Sequence, residues 1–235
     1  AFYAAVSAEY LFSKIAHVQV GSVVGSEFRY IEDFVNKKTL IIPISQSGES
    51  IDVIEPIARV KKQKGAIVAA IVNVLGSTLY RLSDFNILLE SGQEKAVVAT
   101  KSFTAMVSTL ILTAYTISDK QKEGQLLLDK AAKNVKMILK DSYVKKIKVL
   151  ANILKNKKSV YVIGRGLSYS AALEATLKLK EAAYIHAEAF PGGELKHGVI
   201  ALIEKGTPVI VFAPNDETYD EIISNAQEVN ARGAY

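Results

Sequence analysis

The sequence predicts an α/β protein of two doubly wound units, each a parallel sheet sandwiched between helices. Three observations carry that expectation. Apolar runs of strand length alternate with amphipathic stretches along the chain. Two of the runs, TLIIPI (39–44) and AIVAAIV (66–72), are apolar throughout, as strands covered on both faces are. A strand, a polar loop and a helix follow one another around Ser45 and again around Gly164, so two similar units account for the 235 residues.

The elements follow in order. Residues 1–16 read as a helix, with Tyr3, Val6, Tyr10 and Ile15 on one side. Residues 18–24 fit a short strand, and 39–44 a buried one. A helix is expected over 51–64, bent or delayed by Pro56 and stopped by Gly65. Strands at 66–72 and 85–89 precede a long apolar helix at 100–117. Two lysine-rich helices, 121–140 and 141–156, form a connector. The strand pattern restarts at 159–163, then come a helix at 170–184, a strand at 208–212 and a last helix at 216–231. The resulting units are 1–118 and 159–235, with the connector at 119–158; the first unit is expected to lack its first strand and the second to be truncated.

Composition removes several functional classes. There is no cysteine, which excludes a disulfide framework, a thiolate zinc site and a cysteine nucleophile and fits a reducing compartment. The net charge is +5, but residues 119–158 alone hold twelve lysines against four acids. Such a run reads as a solvated helix face, and no arginine cluster interleaved with aromatics supports nucleic-acid binding. The most apolar stretch, 103–117, carries five serines and threonines and is shorter than the roughly 20 residues of a spanning helix. No HExxH or comparable ligand spacing suggests a metal, and no cofactor is expected.

Three constellations carry chemistry. Ser45-Gln46-Ser47-Gly48-Glu49-Ser50 follows a buried strand and opens a helix, where free N–H groups and the positive dipole end attract an anion. It has no lysine, unlike a nucleotide P-loop, so a sugar phosphate suits it better; the alternative is that Ser47 or Ser50 only caps the helix. In the next helix of interest, Leu173, Leu177 and Tyr184 form an apolar stripe with Glu181 at its edge. A carboxylate partly desolvated there suits proton transfer, with Lys178 on the same side; the alternative is an ordinary ion-pair row of Glu174, Lys178 and Glu181. His197 lies in a glycine-bounded turn, FPGGELKHG, and either reaches a ligand or is structural.

Together these blocks resemble the sugar-isomerase (SIS) half of the glutamine–fructose-6-phosphate aminotransferase family, also called glucosamine-6-phosphate synthases. The matching segments are SEFRY (26–30), SQSGES (45–50), ATKSFTA (99–105) and the long run from GRGLSYS to GELKHG (164–198), in family order. The resemblance implies an isomerase that combines fructose 6-phosphate with ammonia to give glucosamine 6-phosphate, in the cytoplasm, as a homodimer. It implies that Ser45, Gln46, Ser47 and Ser50 bind the phosphate and that the backbone of Val97 touches the sugar. Glu181 would move the proton between the first two sugar carbons, Lys178 would assist at the sugar hydroxyls, and His197 would act in ring opening at a partner subunit's site. Ala1 and Ala99 stand where the family usually has serine, and Val199 where it has proline. A glutaminase domain of the same polypeptide and the C-terminal tail are absent from the 235 residues, so this stretch alone is expected to be inactive. Two other readings fit the same loop: a glutamine-independent sugar-phosphate isomerase or deaminase, and a non-catalytic sugar-phosphate sensor.

Overall fold

The computed structural model describes residues 1–235. The chain divides into two compact units, Ala1–Gln121 and Lys122–Tyr235, each with its own sheet.

In the first unit, helix α1 (Phe2–Leu11) continues through a π-helical turn over Phe12–Ala16. The sheet comprises β1 (Leu40–Ile41), β2 (Ile44–Ser45), β3 (Ile67–Val72) and β4 (Phe85–Leu88). β3 is central and every pairing is parallel, with β1 and β2 on one side and β4 on the other. The TLIIPI run is therefore one edge strand broken at Ile42–Pro43. Pro43 has no N–H for a ladder, although its carbonyl still accepts the Ile71 N–H at 2.9 Å. Helices α2 (Gly25–Phe28), α3 (Ile51–Lys64), α4 (Thr78–Leu82) and α5 (Lys101–Ile117) complete the unit.

Side-chain alternation along β3 builds two cores. Ile71 joins Ala4, Ala8, Leu11 and Phe12 with Met106, Leu110 and Ala114 of α5. Val68, Ala70 and Val72 face the other way, onto Ile57 and Val60 of α3 and Leu79 of α4. This two-sided burial is what the uniformly apolar strands required.

Three local expectations are corrected here. Residues 18–24 form no strand. A strand exists only as part of a hydrogen-bonded ladder, and this segment has no strand beside it. On α1, the buried face is Ala4, Ser7, Ala8 and Leu11, while Tyr3, Val6 and Tyr10 are only half-buried. Small side chains on that face suit the close packing of α1 on α5. Pro56 does not delay α3, which is regular from Ile51, because the carbonyl it leaves without a partner belongs to exposed Asp52 near the helix start, where water can serve it. Gly65 ends α3 in the left-handed conformation (φ 67°), its N–H returning to the Lys61 carbonyl.

The second unit opens with the lysine-rich pair α6 (Gln121–Ile138) and α7 (Asp141–Leu154), largely exposed. Then follow β5 (Ser159–Gly164), α8 (Leu167–Ala183), β6 (His186–Pro191), β7 (Val209–Val211) and α9 (Tyr219–Ala231). The sheet is parallel in the order β6-β5-β7. α8 packs on β5 and β6, and the opposite side gathers Tyr161, Ile163, Leu195, Ile203, Ile222 and Val229. β6 was not expected: HAEAFP has no β-branched residue, and it is a strand because six consecutive residues pair with β5. No helix in either unit is long and apolar enough to cross a membrane.

Candidate functional site

β2 delivers the chain to Ser45 and α3 begins at Ile51, so the serine loop spans the carboxyl end of an edge strand and the start of a helix. Gly48 makes the turn possible, with φ at 67°. A Cβ there would lie 2.1 Å from Ser77 Oγ and 2.6 Å from Ser77 Cβ, so the loop rests directly on the turn before α4. The buried Ser45 Oγ accepts the Gly48 N–H at 3.0 Å and lies 3.4 Å from Ser50 Oγ. Ser47 Oγ accepts the Glu49 N–H at 3.1 Å. A hydroxyl that accepts a backbone N–H still has its own proton to donate. Ser50 is the N-cap residue of α3 yet makes no side-chain capping bond, and the Ser47 bond lies before the helix. The capping alternative is thereby set aside, and the start of α3 stays open to an external acceptor.

Ser45, Gln46, Ser47 and Ser50 line one cavity of about 950 Å³ in the first unit. Its other walls are mostly apolar, from Phe2 and Phe12 to Ile41 and Ile57, and no charged side chain lines it. The hydroxyls, the Gln46 side-chain amide and the start of α3 are the groups there that could hold an anion. Val97 is 97% exposed and is not part of this lining.

Two supports escaped the sequence reading. Glu49, inside the loop, turns its carboxylate to accept the Thr78 N–H at 2.7 Å, and the hydrogen bonds from Thr78 hold its pKa below the usual glutamate value. Asn73, just past β3, donates its own N–H to the Gln46 carbonyl at 3.2 Å. Its side chain accepts from the Ser91 N–H and hydroxyl and donates to the Gly92 carbonyl. The Gly76-Ser77-Thr78 sequence before an apolar pair was the legible trace of the first support, as a helix-start signature.

In the second unit, α8 brings Lys178 and Glu181 together, Nζ to Oε2 at 2.5 Å, with Glu174 Oε1 at 3.2 Å on the other side of the ammonium. Burial works to lower the lysine pKa, but the hydrogen bonds and charges of Glu181 and Glu174 outweigh it and hold the group above its ordinary value. The expected stripe is corrected: Tyr184 is 91% exposed, past the helix end, and the buried residues of α8 are Ser170 and Glu174 on one side and Ala172 and Thr176 on the other. Glu174 is thus the buried carboxylate, whereas the Glu181 side chain keeps a third of its surface exposed. The exposed part of Glu181 is what a ligand could reach.

His197 ends a 3-10 helix over Gly192–His197 and is exposed, hydrogen-bonded to neither Lys178 nor Glu181. Its segment is anchored by buried Leu195 and by the Lys196–Glu228 ion pair at 2.9 Å. Gly192 lies so close to α9 that a Cβ would meet Asn225 Oδ1 at 2.5 Å, and that oxygen also accepts from Arg165 Nε at 2.9 Å.

Two parallel sheets, each with a strand–loop–helix turn at its carboxyl edge, match a known family model, described as the SIS domain, over residues 1–115 and 153–235. The chain belongs to the SIS domain family. It is similar to the glutamine–fructose-6-phosphate aminotransferase (isomerizing) of Caldanaerobacter subterraneus, at 41% identity over 243 residues, covering 100% of this chain and 40% of that protein. The enzyme of the same description from Aquifex aeolicus is 40% identical over 231 residues, covering 98% of this chain and 38% of the relative. The chain thus spans about two-fifths of the length of the curated relatives it matches. Among solved structures, the C-terminal domain of glucosamine-fructose-6-phosphate aminotransferase from Francisella tularensis superposes with a TM-score of 0.89 at 35% identity, over 99% of this chain and 68% of that one. A glucosamine-6-phosphate deaminase from Thermotoga maritima shares the SIS fold, with a TM-score of 0.80 at 20% identity.

Proposed function

We propose that this SIS chain provides the sugar-isomerising half of a glutamine–fructose-6-phosphate transaminase. The overall reaction converts fructose 6-phosphate and ammonia to glucosamine 6-phosphate and water. The observation that carries the reading is the uncapped start of α3 beside Ser45, Gln46, Ser47 and Ser50 at the carboxyl end of β2. Neutral hydroxyl and amide donors and a helix start suit the phosphate group of a sugar phosphate. Similarity of about 40% along the whole chain to enzymes named for this substrate supports the same choice.

The chemistry falls to α8 in this reading. Glu181 takes the proton from one of the first two sugar carbons and returns it to the other. Lys178, kept cationic by two carboxylates, donates hydrogen bonds to the sugar oxygens and does not act as a base. His197, exposed on its anchored turn, assists ring opening at the site of a second copy, and the backbone of Val97 meets the sugar. The glutaminase activity that would supply ammonia belongs to a further domain.

The test is thermal. Fructose 6-phosphate and glucosamine 6-phosphate at millimolar concentration should raise the melting temperature of the protein, and fructose and glucosamine should not. Equal shifts with and without the phosphate would refute the proposed role of the serine loop.

A further inference from the structure

A loop that binds an anion gains nothing from a carboxylate in its middle, yet Glu49 stands between Gly48 and Ser50. The geometry accounts for it. Three contacts join the loop to the first turn of α4: the Thr78 N–H donates to Glu49 Oε1 at 2.7 Å, the Leu79 N–H donates to the Gly48 carbonyl at 3.0 Å, and Gly48 rests on Ser77. Glu49 does not line the cavity, although its neighbours Ser47 and Ser50 do. Its side chain crosses from the loop to an amide 29 positions away in the sequence. Arg81 adds a positive charge on the same short helix, hydrogen-bonded to the Gly76 carbonyl and the Thr78 hydroxyl.

We propose that Glu49 is a positioning residue for the phosphate site: its carboxylate straps the serine loop to the Thr78 amide, fixing the hydroxyls of Ser47 and Ser50 toward the cavity while the loop's one negative charge stays turned away from the phosphate. This inference rests on the phosphate reading above. The strap needs an acceptor oxygen at the end of a side chain of glutamate length, and it does not need the charge. Glutamine should therefore replace Glu49, and alanine should not. The donor can be removed separately. Thr78 is the first residue of α4 and Ser77 before it is extended (φ −60°, ψ 165°), so both positions accept Thr78→Pro, which deletes the N–H, along with the hydroxyl that also meets Glu49 and Arg81, without breaking the helix.

The experiment is calorimetric titration of fructose 6-phosphate into the full polypeptide and its variants, each first checked for a wild-type-like circular dichroism spectrum. Glu49→Gln should bind as tightly as the wild type or more tightly. Glu49→Ala and Thr78→Pro should each bind about tenfold or more weakly, the scale of a lost hydrogen bond to a charged group. The double variant should be no weaker than the weaker single one, because both changes cut the same strap. Ligand-free melting temperatures should stay within a few degrees across the set, which separates positioning from general destabilisation. If the wild type binds fructose 6-phosphate and Glu49→Ala binds it equally well, or if Glu49→Gln loses as much as Glu49→Ala, the strap is refuted. If the wild type binds no sugar phosphate, the phosphate reading falls and the strap falls with it.

Discussion

Gly48→Ala is the sharpest single perturbation of the serine loop, because two independent costs can be worked out for it. The first is conformational. Gly48 sits at φ 67°, and an alanine held in the left-handed region costs about 1–2 kcal/mol. The second is steric. The new methyl would lie 2.1 Å from Ser77 Oγ, which can rotate aside, and 2.6 Å from Ser77 Cβ, which cannot. Overpacking of that kind costs about 1–3 kcal/mol. Together they give roughly 2–5 kcal/mol, which at a urea slope of about 1–3 kcal/mol/M lowers the unfolding midpoint by at least about 0.7 M. The two costs separate in a cycle. Ser77→Gly removes both clashing atoms, and the next neighbour, Val72 Cγ1 at 3.5 Å, is an ordinary contact. Gly48→Ala measured in the Ser77→Gly background should therefore retain only the conformational part. Urea unfolding followed by far-ultraviolet circular dichroism is the assay. A midpoint shift under about 0.3 M for Gly48→Ala, or the same shift in both backgrounds, would refute the close seating of the loop on Ser77.

Two further predictions concern charge. Glu32 is held below the usual carboxylate range chiefly by its hydrogen bonds from Arg59, at 2.7 Å, and Asp84 and Glu228 are lowered by Lys61 and Lys196 in the same way. Groups lowered in the folded state contribute stability above their unfolded pKa of about 4 and lose it as the pH falls through the folded value, so the urea midpoint should drop between about pH 5 and pH 2. Arg59→Ala should flatten that drop, and a midpoint independent of pH would contradict the pairing. In the full polypeptide, Glu181→Gln should reduce turnover by a factor of about 10² or more while fructose 6-phosphate affinity stays within a few-fold. Retained turnover would remove Glu181 from the proton-transfer role.

What the sequence disclosed and what it concealed divide along the range of the interactions. β3 and β5 were legible because uniform apolarity is a property of a few adjacent residues, and the serine loop because its residue types announce themselves after a buried strand. β6 is hidden because its strand character comes from six partners on β5, each 27 positions earlier, not from its own side chains. The segment 18–24 failed for the converse reason: valines with strand propensity stay out of a sheet when no neighbouring edge receives them. The same division runs through the candidate site. Ser45, Gln46, Ser47 and Ser50 were found together because they are contiguous. Glu49, equally contiguous, carries no local sign of its role because its partner, Thr78, lies 29 residues on, and only the folded chain brings the two together. A carboxylate beside a serine proposed to bind an anion reads locally as a contradiction. It is resolved by where the oxygen points, which is information that no local pattern holds. Charge in this fold is therefore read by its hydrogen-bond partner: Glu49 is spent on an amide, Glu174 is buried against Lys178, and Glu181, sharing the same lysine, keeps a third of its surface open. Of the three, Glu181 is the one with both a fixed orientation and an open approach, which is what the proposed proton transfer requires.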